Sequence, residues 1–110
     1  MRVKPRCVVR LRLQNDESEN DSSFGPGTAL LLQGIAELKS LNKAAKRMGM
    51  AYSKAWISIR ATEEHLGVAL IERHGQHGSV LTAEGERLLT FFLRAQAAAE
   101  QAAADVFQDY

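Results

Sequence analysis

Asn42 to Gly67 reads N-K-A-A-K-R-M-G-M-A-Y-S-K-A-W-I-S-I-R-A-T-E-E-H-L-G, and this stretch decides the fold. It predicts two helices joined by a tight turn at Gly49. Asn42 suits an N-cap, and Ala44, Ala45 and Met48 form one apolar stripe. Glycine takes the left-handed conformation without steric cost, so Gly49 is where the chain leaves the first helix. Met50 then plugs the core. The second helix starts near Tyr52 and buries Ala55, Ile59, Thr62 and Leu66. Small alanines in the first helix let the second cross close over it, the geometry of a DNA-reading helix-turn-helix.

The charges agree. Lys39, Lys43, Lys46, Arg47, Lys54 and Arg60 are all basic, and no acid stands between Glu37 and Glu63. The chain as a whole carries only +1, so positive charge is concentrated here. Such a local field attracts a polyanion whatever the net charge.

With 110 residues, 45% hydrophobic and 25% charged, the expectation is one globular domain with little room for a catalytic cleft or a separate sensor. The single Cys7 forms no internal disulfide, which points to the cytoplasm. The basic start, Met1 to Pro5, is not followed by the apolar segment of a signal peptide, and no aliphatic run is long enough to span a membrane.

Upstream of the central pair, Arg6 to Gln14 alternates, with Cys7, Val9, Leu11 and Leu13 on one face. That predicts a half-buried strand. The acidic stretch Asn15 to Ser23 reads as a loop, and Ser22 to Phe24 as a return strand completing a hairpin. Arg2, Lys4, Arg6, Arg10 and Arg12 are placed to touch phosphate or, more ordinarily, to protect an exposed strand edge. Gly25-Pro26-Gly27 breaks the chain and Thr28 is a candidate cap. A helix then runs to about Lys39 with Leu31, Leu32, Ile35 and Leu38 inward.

Downstream, Val68 to Glu72 predicts a strand, Arg73 to Gly78 a glycine-bearing tip, and Ser79 to Leu81 the return. A hairpin directly after a helix-turn-helix is a wing. Thr82 caps a last helix from Ala83 to about Phe107, with Glu84 and Glu86 near its positive end. Phe92, Ala95, Ala99, Ala102, Val106 and Tyr110 recur at three- and four-residue steps, the spacing of a helix-helix seam. The remaining chain is too short to cover so long a helix, so a homodimer is expected. The expected division is a hairpin at 1–26, a winged-helix core at 27–82 and a dimerisation helix at 83–110, giving a mainly α (α+β) winged helix-turn-helix.

The segment Ser40 to Leu88 resembles the winged-helix domain of LysR-type regulators. The matching residues are Ala44-Ala45, Ile59-Arg60, Glu63-Glu64-x-Leu66-Gly67, Leu70-Ile71-Glu72-Arg73 and Leu81-Thr82-x-x-Gly85. Met48-Gly49-Met50-Ala51-Tyr52-Ser53-Lys54-Ala55-Trp56 is similar to a stretch of the molybdate-dependent (ModE-type) regulators, as is Phe24 to Gly27. The resemblance implies DNA binding and dimerisation. It does not imply molybdate sensing, because the oxyanion-binding domain of those regulators has no counterpart in this sequence. Ala51 stands where the family usually has a capping serine, which forfeits about 1 kcal/mol unless Ser53 or a phosphate takes over.

Tyr52, Ser53 and Lys54 open the recognition helix and should meet bases or phosphates first. Ile57 and Ser58 follow one turn on. An exposed isoleucine suits a thymine methyl, or is a stray surface aliphatic. Trp56 packs under the wing or stacks on the DNA backbone, and packing is the simpler role. Lys43, Lys46, Arg47, Lys54 and Arg60 are assigned to phosphates, and Arg73, His74, Gln76 and His77 to the flanking minor groove. Glu72, His74 and His77 lack a fourth ligand nearby, so no metal is expected. No cofactor motif, nucleophile elbow or phosphate-binding glycine loop is present, so an enzyme is not expected. The sequence therefore points to a transcriptional regulator binding double-stranded DNA as a dimer on a near-palindromic site, with any small-molecule effector unknown. The alternatives are a winged-helix protein-interaction module and a ligand- or metal-responsive sensor.

Overall fold

The computed structural model describes residues 6–15, 23–75 and 78–109. Pro26 fixes the backbone angle that a first helical residue needs, and α1 (Pro26–Leu38) starts there, with Gly25 as N-cap and no side-chain capping bond. Thr28, the expected cap, lies inside the first turn and is buried. Leu31, Leu32 and Ile35 are buried and Leu38 is half-buried. The helix ends at Lys39, a non-glycine residue at φ 58°, whose N–H reaches Ile35 O.

α2 (Leu41–Arg47) is capped by Ser40, whose hydroxyl accepts from Lys43 N at 3.1 Å. Asn42, the expected cap, is exposed within the first turn. Ser40 sits one position before the first buried residue, Leu41, and so meets the free N–H groups. Gly49 turns the chain at φ 71°. α3 (Tyr52–Leu66) follows, burying Ala55, Ile59, Thr62, Glu63 and His65. α1 is the hub, packing on α2, α3, α4 and the returning wing strand. It approaches α2 so closely that a Cβ on Gly34 would lie 2.7 Å from the Cβ of Ala44.

The wing is an antiparallel pair, β1 (Ile71–Arg73) and β2 (Ser79–Leu81), with Ile71 opposite Leu81 and Arg73 opposite Ser79. It starts three residues later than the sequence predicts. Groups other than a ladder hold the approach: the Glu63 carboxylate accepts from Leu70 N at 2.7 Å, and Leu70 O accepts from Thr82 N at 3.0 Å. Ser79 N donates to Lys39 O at 3.0 Å, which ties the return strand to the end of α1. Gly78, at φ 93°, permits this, because a Cβ there would lie 2.1 Å from that same oxygen.

α4 (Ala83–Phe107) begins at Thr82, whose hydroxyl accepts from Gly85 N and donates to Ala69 O. Phe92 is 3% exposed and meets Phe24 with ring centroids 5.4 Å apart. It therefore belongs to the chain's own core and is not available to a second chain, as its place in the seam would require. Seam spacing shows that a helix face is apolar, not which chain covers it.

The N-terminal arm departs from the predicted strand. Its described residues pair only at Leu13 and Phe24, which exchange two bonds of 2.7 Å. Side chains take the place of a partner strand. Gln96 of α4 accepts from Leu11 N and donates to Val9 O, while Asn15 N donates to His65 Nε2 on α3. Val9, Leu11 and Leu13 are half-buried, but Cys7 is exposed rather than inward. Residues 16–22 of the predicted loop and return strand, and Arg2 and Lys4, lie outside the described residues.

Glu63 is 9% exposed and holds the entry to the wing. Hydrogen bonds to a charged group are worth about 1.5–3 kcal/mol. Glu63→Ala should lower unfolding stability by about that much, read from denaturant midpoints at constant slope.

Candidate nucleic-acid interface

α3 follows α2 through a tight turn that leaves its first residues uncovered. Tyr52, Ser53 and Lys54 are all exposed there, and the N-cap Ala51 makes no side-chain capping bond. Further along, Ile57 is 66% exposed, while Ser58 is half-buried. With 3.6 residues per turn, Ser53, Ile57 and Glu64 lie along one outward strip, opposite Ala55, Ile59 and Leu66. Ile57 is thus an exposed aliphatic on the outer face, as the sequence predicts.

The cations divide into two groups. Lys39, Lys43, Lys46 and Lys54 are exposed and pair with no acid among the described residues. Arg47, by contrast, bonds Glu37 at 2.5 Å, and Arg60 lies 3.5 Å from Glu63. The acid-free interval in the sequence is therefore not acid-free in space. The two carboxylates that bracket it fold back onto arginines within it.

The wing lies against one flank of α3. The Arg73 guanidinium stands 4.5 Å from the Trp56 ring centroid and 5.9 Å from that of Tyr52, and Arg60 approaches Trp56 at 5.7 Å. Trp56 is half-buried, so packing under the wing is its structural role. Arg73 is accordingly laid on the recognition helix rather than extended from the wing tip. His74 Nε2 is 3.3 Å from Glu72 Oε2. Gln76 and His77, and Tyr110 at the far end, lie outside the described residues.

Sequence reasoning missed Glu63 and His65, which are buried and join α3 to the wing and to the arm. For Glu63 a signal existed, since it stands four residues after Ile59 on the inward side of the helix. His65 gives none, because its partner Asn15 is fifty positions away.

A family model described as the bacterial regulatory helix-turn-helix protein, LysR family, matches residues 29–86, more than half of the chain. The chain belongs to this LysR family. It is a DNA-binding regulator of the helix-turn-helix class, and the four helices and two-stranded hairpin among the described residues form a winged helix. The CbnR DNA-binding domain, solved as a DNA complex, is 28% identical with a TM-score of 0.60, covering 71% of this chain and 88% of that one. The BenM DNA-binding domain, solved with benA site 1 DNA, shares the fold at 22% identity and a TM-score of 0.59, covering 73% and 89%. OxyR of Corynebacterium glutamicum is 32% identical with a TM-score of 0.56 over 69% of this chain. The chain spans 23% of that OxyR and 28% of the longer CbnR chain. Comparison with curated proteins gives no match.

Trp56 is the sole tryptophan, so the wing contact can be followed optically. Arg73→Ala should move Trp56 emission to the red and lower stability by about 0.5–1 kcal/mol, the worth of such a cation–π contact near a surface. Ala51→Ser should raise stability by about 1 kcal/mol by capping the recognition helix, measured by thermal unfolding.

Proposed function

We propose that this LysR-type domain is a cytoplasmic regulator that binds a near-palindromic DNA site as a homodimer. The observation that carries the proposal is the exposed first turn of α3, Tyr52 to Lys54, with the cations Lys43 and Lys46, which pair with no acid among the described residues. Phosphates supply most of the affinity through Lys43, Lys46 and Lys54, with Arg47 and Arg60 joining once their carboxylate partners yield. Tyr52, Ser53, Ile57 and Ser58 face the bases. Trp56 acts from behind, by holding Arg73 and the wing. The wing tip, with His74, Gln76 and His77, approaches the flanking minor groove. CbnR and BenM, solved with DNA, support a duplex as the partner.

We further propose kinship with the ModE-type regulators, a reading supported by the likeness of Met48 to Trp56 and Phe24 to Gly27. The arm at 1–26 then braces the core at 27–82, and the helix at 83–110 dimerises. Beyond Phe92 that helix presents Ala95, Ala99 and Ala102, with Val106 74% and Phe107 42% exposed. A two-fold pairing along this stretch, continuing to Tyr110, would set two recognition helices about 34 Å apart, one turn of duplex.

A dimer neutralising about eight phosphates should lose roughly a thousandfold or more in affinity between 50 and 200 mM salt. Lys54→Ala should weaken binding to a duplex selected from a random pool. An affinity indifferent to salt and to Lys54 would instead fit a protein-interaction module. Val106→Asp should shift sedimentation from dimer to monomer while helical circular dichroism persists, and a monomeric wild type would remove the symmetric-site proposal.

A further inference from the structure

One face of α4, stepping by three and four residues, carries Leu89, Phe92 and Gln96 and then Ala99, Ala103 and Phe107. Leu89 and Phe92 are buried in the chain's own core, and Gln96 bonds the arm at Val9 and Leu11. Beyond Gln96 that support falls away. Ala99 and Ala103 are half-buried, and the face ends in exposed Phe107 with exposed Val106 beside it.

Where Gln96 meets the arm, a groove of about 310 Å³ opens between the arm, α1 and α4. Val8, Leu30 and Leu93 line it, one from each element, and all three are exposed. Large apolar side chains gathered around one concavity mark a docking surface. Groove and tail also carry opposite charges. Arg10 lines the groove and is exposed, as is Arg6 before it. The tail carries exposed Asp105 and Asp109, and no base follows Arg94. Among the described residues none of these four charges forms an ion pair.

The chain cannot seat its own tail in its own groove, because α4 is one continuous helix that carries the tip away from it. Two copies can. Residues 97–107 are about 16 Å of helix. If these stretches of two copies overlap head to tail about a two-fold axis near Ala102, residue 107 of each lies opposite residue 97 of the other. Each tip then reaches the mouth of the other groove, with Val106 and Phe107 against Val8, Leu30 and Leu93, and Asp109 beside Arg10. A parallel pairing would instead set the acids of the two tips side by side, which costs energy and specifies against it.

We infer that the groove between arm, α1 and α4 receives the α4 tip of a second copy of this chain, reciprocally, in an antiparallel pairing. The inference rests on the homodimer proposed above and adds its direction and a second contact surface. It gives a part in assembly to an arm that, like the tail, lies outside the LysR match at 29–86.

The test uses the full chain, whose one cysteine, exposed Cys7, directly precedes Val8. Gln108→Cys puts a thiol on the tip. Oxidation should then give a dimer linked between positions 7 and 108, seen on a non-reducing gel and by peptide mass, and Cys7→Ser should abolish it. In sedimentation, Leu30→Asp should raise the dimer dissociation constant about tenfold or more while helical circular dichroism persists. Arg10→Glu and Asp109→Arg should each weaken the dimer, and the two together should restore it. A link between two 108 positions that survives Cys7→Ser shows parallel tails; it overturns the inference and leaves the homodimer standing. A 7–108 link within one chain, or a dimer indifferent to Leu30→Asp, overturns it equally. A monomeric wild type overturns both readings.

Discussion

Glu63 leaves α3 on its inward side and takes the amides of Leu70 and Ile71 at 2.7 and 3.4 Å. A carboxylate withdrawn from water to this degree is tolerated only when its oxygens are bonded. Here the backbone that bonds it is the lead into the wing. Much of the molecule's geometry follows from that contact. Glu63 fixes the chain at Leu70 and at Ile71, the first wing residue, and Thr82 closes the loop by accepting from α4 and donating to Ala69 O. Recognition helix, wing and the start of α4 are thereby tied together by hydrogen bonds. Arg73 can then rest on Trp56 at 4.5 Å without a long search through wing conformations. If wing and helix meet one duplex together, as proposed, such preorganisation lowers the cost of binding, since each mobile element would otherwise have to be ordered.

The same carboxylate bears on the electrostatics. Arg60 lies 3.5 Å from Glu63, and Arg47 is bonded to Glu37. Exposed ion pairs contribute little to stability, with a median of about 0–1 kcal/mol, but they do lower the free positive charge that a distant phosphate senses. The field around α2 and α3 is therefore carried by Lys43, Lys46 and Lys54, and is weaker than a count along the sequence suggests. For Arg47 the pairing is also readily exchanged, because both partners are exposed and a phosphate can replace the carboxylate. Arg60 differs in that it faces Glu63 Oε1, whereas the two amides both bond Oε2, so the arginine and the wing entry hold different oxygens of one acid.

Legibility in the sequence followed the range of the interaction. The helix-turn-helix was readable because its determinants are local: Gly49 at φ 71°, buried Ala44 and Ala45, and the three- to four-residue stripe of Ala55, Ile59 and Thr62. Helix α4 and its Thr82 cap were readable for the same reason. The first cap slipped by two residues, from Asn42 to Ser40, since both residue types cap well and only the position of Leu41 in the core decides between them. The arm was misread as a strand because alternation reports which side chains face inward, not what satisfies the backbone. That role falls to Gln96, more than eighty positions away. At the interface, the exposed first turn of α3 was legible, but the two arginines withdrawn by acids and the Arg73–Trp56 contact were not, since each depends on tertiary approach.

The long helix shows how a correct periodicity can hide two kinds of burial. Its first turns are held by Leu89 and Phe92 in the chain's own core, and its later turns carry the exposed alanines. Alanine has the highest helix propensity, and Gln101 adds an i, i+4 bond to Asp105 at 2.8 Å. The last turns are therefore stable as helix without any cover, and the alanines alone do not demand a partner. The side chains that would gain most from one are Val106 and Phe107, 74% and 42% exposed. They are larger than alanine, lose more by facing water, and stand where no other described element of the chain reaches them. Burying such side chains contributes about 1.5–3 kcal/mol each. Small alanines would let a second helix approach closely, and the large residues beyond them would supply the energy for it to stay. In the proposed dimer the alanines would set the distance between two helices, and Val106 and Phe107 would set whether they pair at all.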